Sequence, residues 1–275
     1  MHKRCLFIAL ILVFVQGGLK PYLSHAQCVE YNFAFKAGER VKYHAYYNWH
    51  FIWMNAGEVF FNVDKTTHYS KPAYKFTAIG TTYRGYDTFF KVRDTFVSVV
   101  DTAMIKPYLF HRKTNEGSYT AYESYRFDYD KKNIASSISK EKTPYVNSVL
   151  PLKDCTLDLL SMVYSARNID FSKYRINEKI PIRMVVDGAI HDLYIRYLGK
   201  EQVVTRDKRK FNCLKFKPLL MAGTIFEAGE DMTVWVTDDM NRVPIVVEAK
   251  ILIGSVKAMF VDITNPRYPL AAEVK

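Results

Sequence analysis

The chain has 275 residues, with 39 Lys and Arg against 28 Asp and Glu, a formal charge of +11 and a hydrophobic share of 49%. The charge is spread, and its one dense basic cluster, Arg206-Asp207-Lys208-Arg209-Lys210, accompanies no nucleic-acid motif, which excludes nucleic acid as the expected partner. Twenty Tyr and eighteen Phe raise the aromatic share to 15%, a composition that suits pleated, half-buried strands.

In chain order, Lys3 and Arg4 precede an uninterrupted apolar run, Cys5 to Val15. That length fits the core of a secretory signal peptide and falls short of the roughly 20 residues of a membrane-spanning helix. Ser24-His25-Ala26 places small residues before a cut at Gln27, so residues 1–26 read as a signal peptide and 27–275 as one β-rich domain. Lys3, Arg4 and Lys20 leave with the peptide, which lowers the charge from +11 to +8. Gln27 ahead of Cys28 argues against lipoprotein anchoring, because that processing needs a small residue there. The expected location is the periplasm or cell envelope.

Period-two alternation then marks strands. Val41 to Tyr47 alternates, Ala56-Gly57 is expected to turn the chain into Val59–Val63, and Tyr74–Ile79 follows. Tyr119–Tyr129 alternates again and turns at Asp130-Lys131-Lys132-Asn133 into Ile134–Ile138. A short helix is expected over Tyr86–Val92. A longer one is expected over Cys155–Asn168, with Asp154 as N-cap and Leu157, Leu160 and Tyr164 on its apolar face. Asp187-Gly188 between Ile182–Val186 and Ala189–Tyr197 is a strong hairpin signal. The basic cluster caps a second hairpin, and 232–237, 243–253 and 255–263 form a closing meander. Two sheet halves are expected to meet near 140–154. The fold class is mainly β: a large twisted antiparallel sheet or open, partly closed barrel with one packed helix.

Chemical motifs are sparse. His44, His50, His68, His111 and His191 stand singly, without the convergent spacing of a zinc site. No GxSxG, GxGxxG or GxxxxGK[ST] pattern occurs, so no catalytic serine, nucleotide or other cofactor is expected. Asp238-Asp239 reads as a turn, with Arg242 near enough to neutralise it. Cys28, Cys155 and Cys213 allow at most one bridge, and the odd count argues against a disulfide scaffold. Ordinary buried cysteines are expected, with Cys155–Cys213 a pair that could form.

Several segments resemble a known family. Phe35-Lys36-Ala37-Gly38-Glu39-Arg40-Val41-Lys42-Tyr43 with Ala56-Gly57, the helix Leu157–Arg167, Trp235-Val236-Thr237-Asp238-Asp239 with Arg242-Val243-Pro244, and Gly254-Ser255 occur in the order of an exported bacterial family, domain of unknown function 3108. The pattern covers residues 33–264. Asp-Pro usually precedes Leu-Ser in the family's helix; Asp158-Leu159-Leu160-Ser161 departs from that. The resemblance implies a Gram-negative envelope protein with a large twisted antiparallel sheet and no established catalytic motif. By analogy of fold alone, such a sheet is similar to the half-barrels that carry lipoproteins through the periplasm.

Export, aromatic load and missing catalytic groups together favour a non-enzymatic binding or scaffolding protein with an aromatic apolar interior. Its partner would be a lipid, another apolar envelope ligand or an envelope protein. Tyr43, Tyr47, Trp53, Phe61, Tyr125, Phe127 and Trp235 fall at the phases that would line a cavity. Arg206, Lys208, Arg209 and Lys210 would supply a peripheral membrane contact. The alternatives are a hydrolase of envelope glycan or lipid using Glu58, Glu123 or Asp239, and a structural partner in an envelope complex.

Overall fold

The computed structural model describes residues 26–49, 52–220, 229–251 and 254–274; nearly all of the expected signal peptide lies outside them. The strands are β1 (Arg40–Trp49), β2 (Ile52–His68), β3 (Lys71–Thr82), β4 (Arg93–Asp101), β5 (Pro107–Glu116), β6 (Tyr119–Asp128), β7 (Asn133–Lys140) and β8 (Val146–Pro151). After β9 (Thr156–Leu157) come α1 (Leu159–Ala166) and a 3-10 turn, Phe171–Lys173. The second half holds β10 (Lys179–Val186), β11 (Ala189–Val204), β12 (Lys210–Pro218), β13 (Met232–Thr237), β14 (Pro244–Lys250), β15 (Ser255–Thr264) and β16 (Glu273–Val274).

All belong to one sheet. Its order runs from β8 down to β1, crosses to β15, and continues down to β9, with β16 beside β12. Laid flat at about 4.8 Å per strand, the two edges would stand roughly 67 Å apart. Yet only residues 152–155 join β8 to β9, a reach of roughly 18 Å. The sheet must therefore curl until its edges nearly meet. The fold is mainly β, an open barrel with one helix, as the alternation predicts.

Side chains fill the curl. Ala34, Phe35, Phe76, Phe110, Tyr125, Ile134 and Tyr164 belong to one cluster; Phe171, Ile180, Ile195, Leu214 and Phe216 belong to a second, in the other half. A third gathers around Tyr43, Phe211, Ile245 and Phe260, and Phe61 packs against both it and the first. Helix α1 brings Tyr164 flat against Phe76 at 3.9 Å and edge-on to Phe35 at 4.8 Å.

Several local expectations need correction. Helix α1 begins at Leu159 and is capped by Asp158, whose side chain accepts from the Ser161 amide while the Ser161 hydroxyl accepts from the Asp158 amide. Asp154 is not the cap. The Asp of the family's Asp-Pro thus keeps its task, and Leu159 stands at the first helical position, where Pro is favoured because no N–H is needed. Residues 84–89 form successive turns instead of a helix. Ala56-Gly57 lies inside β2: a Cβ at Gly57 would sit 2.1 Å from the Thr81 carbonyl oxygen, so the glycine permits close strand approach. β4, β5 and β8 carry no counterpart among the expected strands. Asp187-Gly188 does turn β10 into β11, both residues at positive φ, +50° and +77°.

Cys155 pairs with Cys28 and not with Cys213, their Cα atoms 5.0 Å apart. The N-terminal strap makes this contact. The Gln27 amide donates to the Pro181 carbonyl on β10, and β10 pairs with β9 immediately after Cys155. Cys213 remains a buried thiol on β12, pushed up to about 12 chiefly by burial, which leaves it inert.

Candidate functional site

Two buried charged centres lie inside the curl. The first joins three of the motifs that carry the family resemblance. Glu39, just before β1, and Arg167, at the end of α1, form a doubly hydrogen-bonded pair at 2.6 and 3.0 Å. Arg167 directs Nε and Nη2 to the Asn241 carbonyl at 3.0 and 2.9 Å, and its guanidinium lies over Phe35 and Tyr164. The Asn241 side chain donates to the carbonyls of Tyr268 and Pro269 and accepts from the Tyr268 amide. Every polar atom of the pair is used, so this centre ties the strap, the helix and the β13–β14 turn together. Asp239 belongs to that turn: its carboxylate accepts from Thr237, the Asn241 amide and the Ala272 amide. Arg242 donates from its guanidinium to the Ile169 carbonyl and stands near enough to Asp238 and Asp239 to feel their charge, while Asp238 pairs with Lys200 at 2.6 Å.

The second centre occupies the inner face of β4–β7, where Asp94, Arg112, Thr114, Glu123 and Ser136 take inward phases. The Asp187-Gly188 turn docks here. The Asp187 amide donates to Glu123 at 2.6 Å and the Gly188 amide to the Tyr125 hydroxyl at 2.9 Å, while that hydroxyl donates to Glu123. Arg112 lies 3.3 Å from the other Glu123 oxygen and reaches towards Asp187, which Lys140 pairs at 3.0 Å. In the first centre the ion pair itself is saturated, although the Tyr164 hydroxyl beside it is buried without a hydrogen-bond partner; here the charged groups themselves are incompletely hydrogen-bonded. Arg112 Nε, Thr114 Oγ1, Glu123 Oε2 and Ser136 Oγ are buried without a hydrogen-bond partner. Burial raises the Glu123 carboxyl above its ordinary range. Burial, with Glu116 alongside, pushes Asp94 up to about 7 against a hydrogen bond from the Asn115 amide. Raised carboxyls beside a cation and unpaired hydroxyls make this the strongest chemical candidate.

Of the hydrolase candidates, only Glu123 is in this centre. Glu58 is tied to Lys42 and Tyr83 at 2.7 and 3.0 Å. The seven aromatic candidates do not converge. Tyr125 and Phe127 sit in the first cluster; Tyr43 and Phe61 pack on each other at the centre, 5.8 Å apart. Tyr47 faces Tyr86, Trp235 donates to Glu201, and Trp53 lines an outer groove beneath Lys257. Among the described residues no three His, Cys, Asp or Glu side chains gather as metal ligands.

Sequence reasoning missed Asp94, Arg112, Thr114 and Ser136 as site residues. Glu123 carries a usable signal, a carboxylate at the same phase as Tyr125 and Phe127 on an alternating strand.

A wider groove of about 520 Å³ lies across β5–β8. Ser124, Ala135 and Ser137 provide small side chains for its floor, and Leu109, Arg126 and Val149 border them. Its outer side is the free edge strand β8, where Val146 and Val149 are exposed.

No curated protein matches the chain. A crystal structure described as a beta-barrel-like protein of domain of unknown function DUF1849, from Brucella abortus, superposes with a TM-score of 0.53 at 8% identity, covering 84% of this chain and 99% of that one. That likeness concerns the fold alone. The family model described as Protein of unknown function (DUF3108) matches residues 42–261, most of the chain, and the chain belongs to that family.

Proposed function

We propose that this chain is an exported, non-enzymatic binding or scaffolding protein of the cell envelope, holding a lipid or other apolar envelope ligand against the outside of its open barrel. The groove across β5–β8 carries the reading. At about 520 Å³ it falls within the size of small-ligand sites, whereas the interior aromatics contact one another. The Cys28–Cys155 bridge supports an oxidising compartment. It also supports the soluble form, since a bridged Cys28 has no thiol left to acylate. Organic extraction of purified protein followed by mass spectrometry is expected to yield a bound apolar component. Ala135→Trp, which fills the groove floor from an exposed position, is expected to lose at least nine-tenths of it. Equal recovery from both proteins, or none from either, overturns the assignment.

The Arg112 centre favours a second reading, a carboxylate-dependent hydrolase acting on envelope glycan or lipid. Glu123 and Asp94 would be its acid and base, each raised above the ordinary carboxylate range chiefly by burial. Envelope fractions left unchanged by the protein, and equally unchanged by Glu123→Gln, would remove it.

A further inference from the structure

Three distant segments meet in a second outer groove, of about 250 Å³, walled by Tyr46, Trp53, Val204, Arg206, Lys257 and Met259. Two cations cover its rings: Lys257 Nζ stands 4.4 Å from the Trp53 ring centre, and the Arg206 guanidinium 4.9 Å from that of Tyr46. Beyond the groove, the β11–β12 tip presents Lys208 and Lys210 to solvent beside the exposed Val204.

The acids here are occupied. Asp207 is held by Arg209 at 2.7 Å and by the Thr205 hydroxyl, and Glu248 holds Lys257 at 3.0 Å. Among the described residues Arg206, Lys208 and Lys210 form no ion pair with a carboxylate. Arg209 is not part of this face, because its guanidinium turns inward over Phe211 and Phe260 and donates to the Val261 carbonyl.

We infer that this face docks on an anionic membrane surface. The groove is smaller than the roughly 300 Å³ at which small-molecule sites begin, so it cannot bury a ligand of ordinary size. What it offers is an apolar strip with the half-buried Trp53 ring, flanked by the exposed, unpaired cations Arg206, Lys208 and Lys210. That combination matches a headgroup layer, where Trp and Tyr rings settle and basic side chains meet anionic lipid. The charges choose the sign of the surface, and Trp53 and Val204 set the depth of contact. This surface lies on different strands from the β5–β8 groove and does not depend on a ligand there.

Co-sedimentation with phosphatidylcholine vesicles, with and without phosphatidylglycerol, tests the inference. The protein is expected to pellet with the anionic vesicles and to be released by salt. Each cation removed is expected to lower partition roughly fivefold, so Arg206→Glu with Lys208→Glu loses well over tenfold. Lys131→Glu with Lys132→Glu makes the same change in net charge at the β6–β7 turn and is expected to bind as the parent does. Trp53→Phe is expected to weaken binding and remove the blue shift in tryptophan emission, with circular dichroism unchanged. Equal losses from the two double variants would reduce the effect to net charge and overturn the inference. So would absence of binding to anionic vesicles, or complete displacement by inorganic phosphate at matched ionic strength.

Discussion

The two buried charged centres differ in how completely they are satisfied. Around Glu39 and Arg167 each charged oxygen and nitrogen has a partner, and the groups come from segments far apart in the sequence. Around Arg112 a guanidinium nitrogen, a carboxylate oxygen whose one contact is the 3.3 Å ion pair, and two hydroxyls are buried without a hydrogen bond. A saturated network specifies a structure, whereas an unsaturated one retains capacity to bind or to move a proton. The contrast separates a structural lock from a chemical candidate within one interior.

The largest expected effect breaks the lock. Arg167→Ala strands Glu39, which is wholly buried, and is expected to cost about 3–5 kcal/mol in urea denaturation. Arg112→Ala is expected to cost only about 1–2 kcal/mol, because Glu123 can escape by taking up a proton. Equal costs would erase the distinction between the centres. Next, Cys28→Ser releases the strap that reaches Glu39's neighbourhood and is expected to cost about 2–4 kcal/mol. Thermal melts of the parent under reducing conditions provide the same comparison without a substitution.

A pH slope sharpens the comparison further. Asp94 rises from 3.8 to about 7 and Asp158, at the helix cap, from 3.8 to about 6, both mainly through burial. The folded protein therefore keeps protons that the unfolded chain releases near pH 4. Their contribution to stability is full below that pH, is lost as pH climbs through about 6 and about 7, and is flat above. Asp94→Asn is expected to flatten the upper part of the fall, and Asp158→Asn the lower part, in denaturation midpoints measured across the range. A profile unaltered by Asp94→Asn would place the unsaturated centre's proton elsewhere.

Much of the sheet was legible because its strands bury one face and wet the other. Tyr119–Tyr129, the Asp187-Gly188 turn and the basic β11–β12 tip stand where alternation and turn chemistry put them. β8 was hidden for the opposite reason: most of its residues are exposed on both faces, so no period marks it. Arg112 and Thr114 belong to β5, which the alternation did not expose, and their roles went with it. The lock follows no local period, although Glu39 and Arg167 each lie in a segment that carries the family resemblance. Glu39 and Arg167 are 128 residues apart, and each alone resembles an ordinary surface charge. The Cys28–Cys155 choice likewise depends on where the strap lands on β10, which no spacing encodes.

The order of the strands also bears on assembly in time. Along the main path from β8 to β9, successive strands neighbour one another everywhere except at one seam, Arg40–Asn48 against Ser255–Thr264. Apart from the parallel β9–β10 pair, each half can therefore grow by hairpins between sequence neighbours, a rapid kind of closure. The seam must wait for nearly the whole chain, and until then β1 carries an open edge capable of pairing with another molecule. The last stitch of this barrel is made in its middle, and the nascent chain is most exposed to mispairing while that stitch is missing.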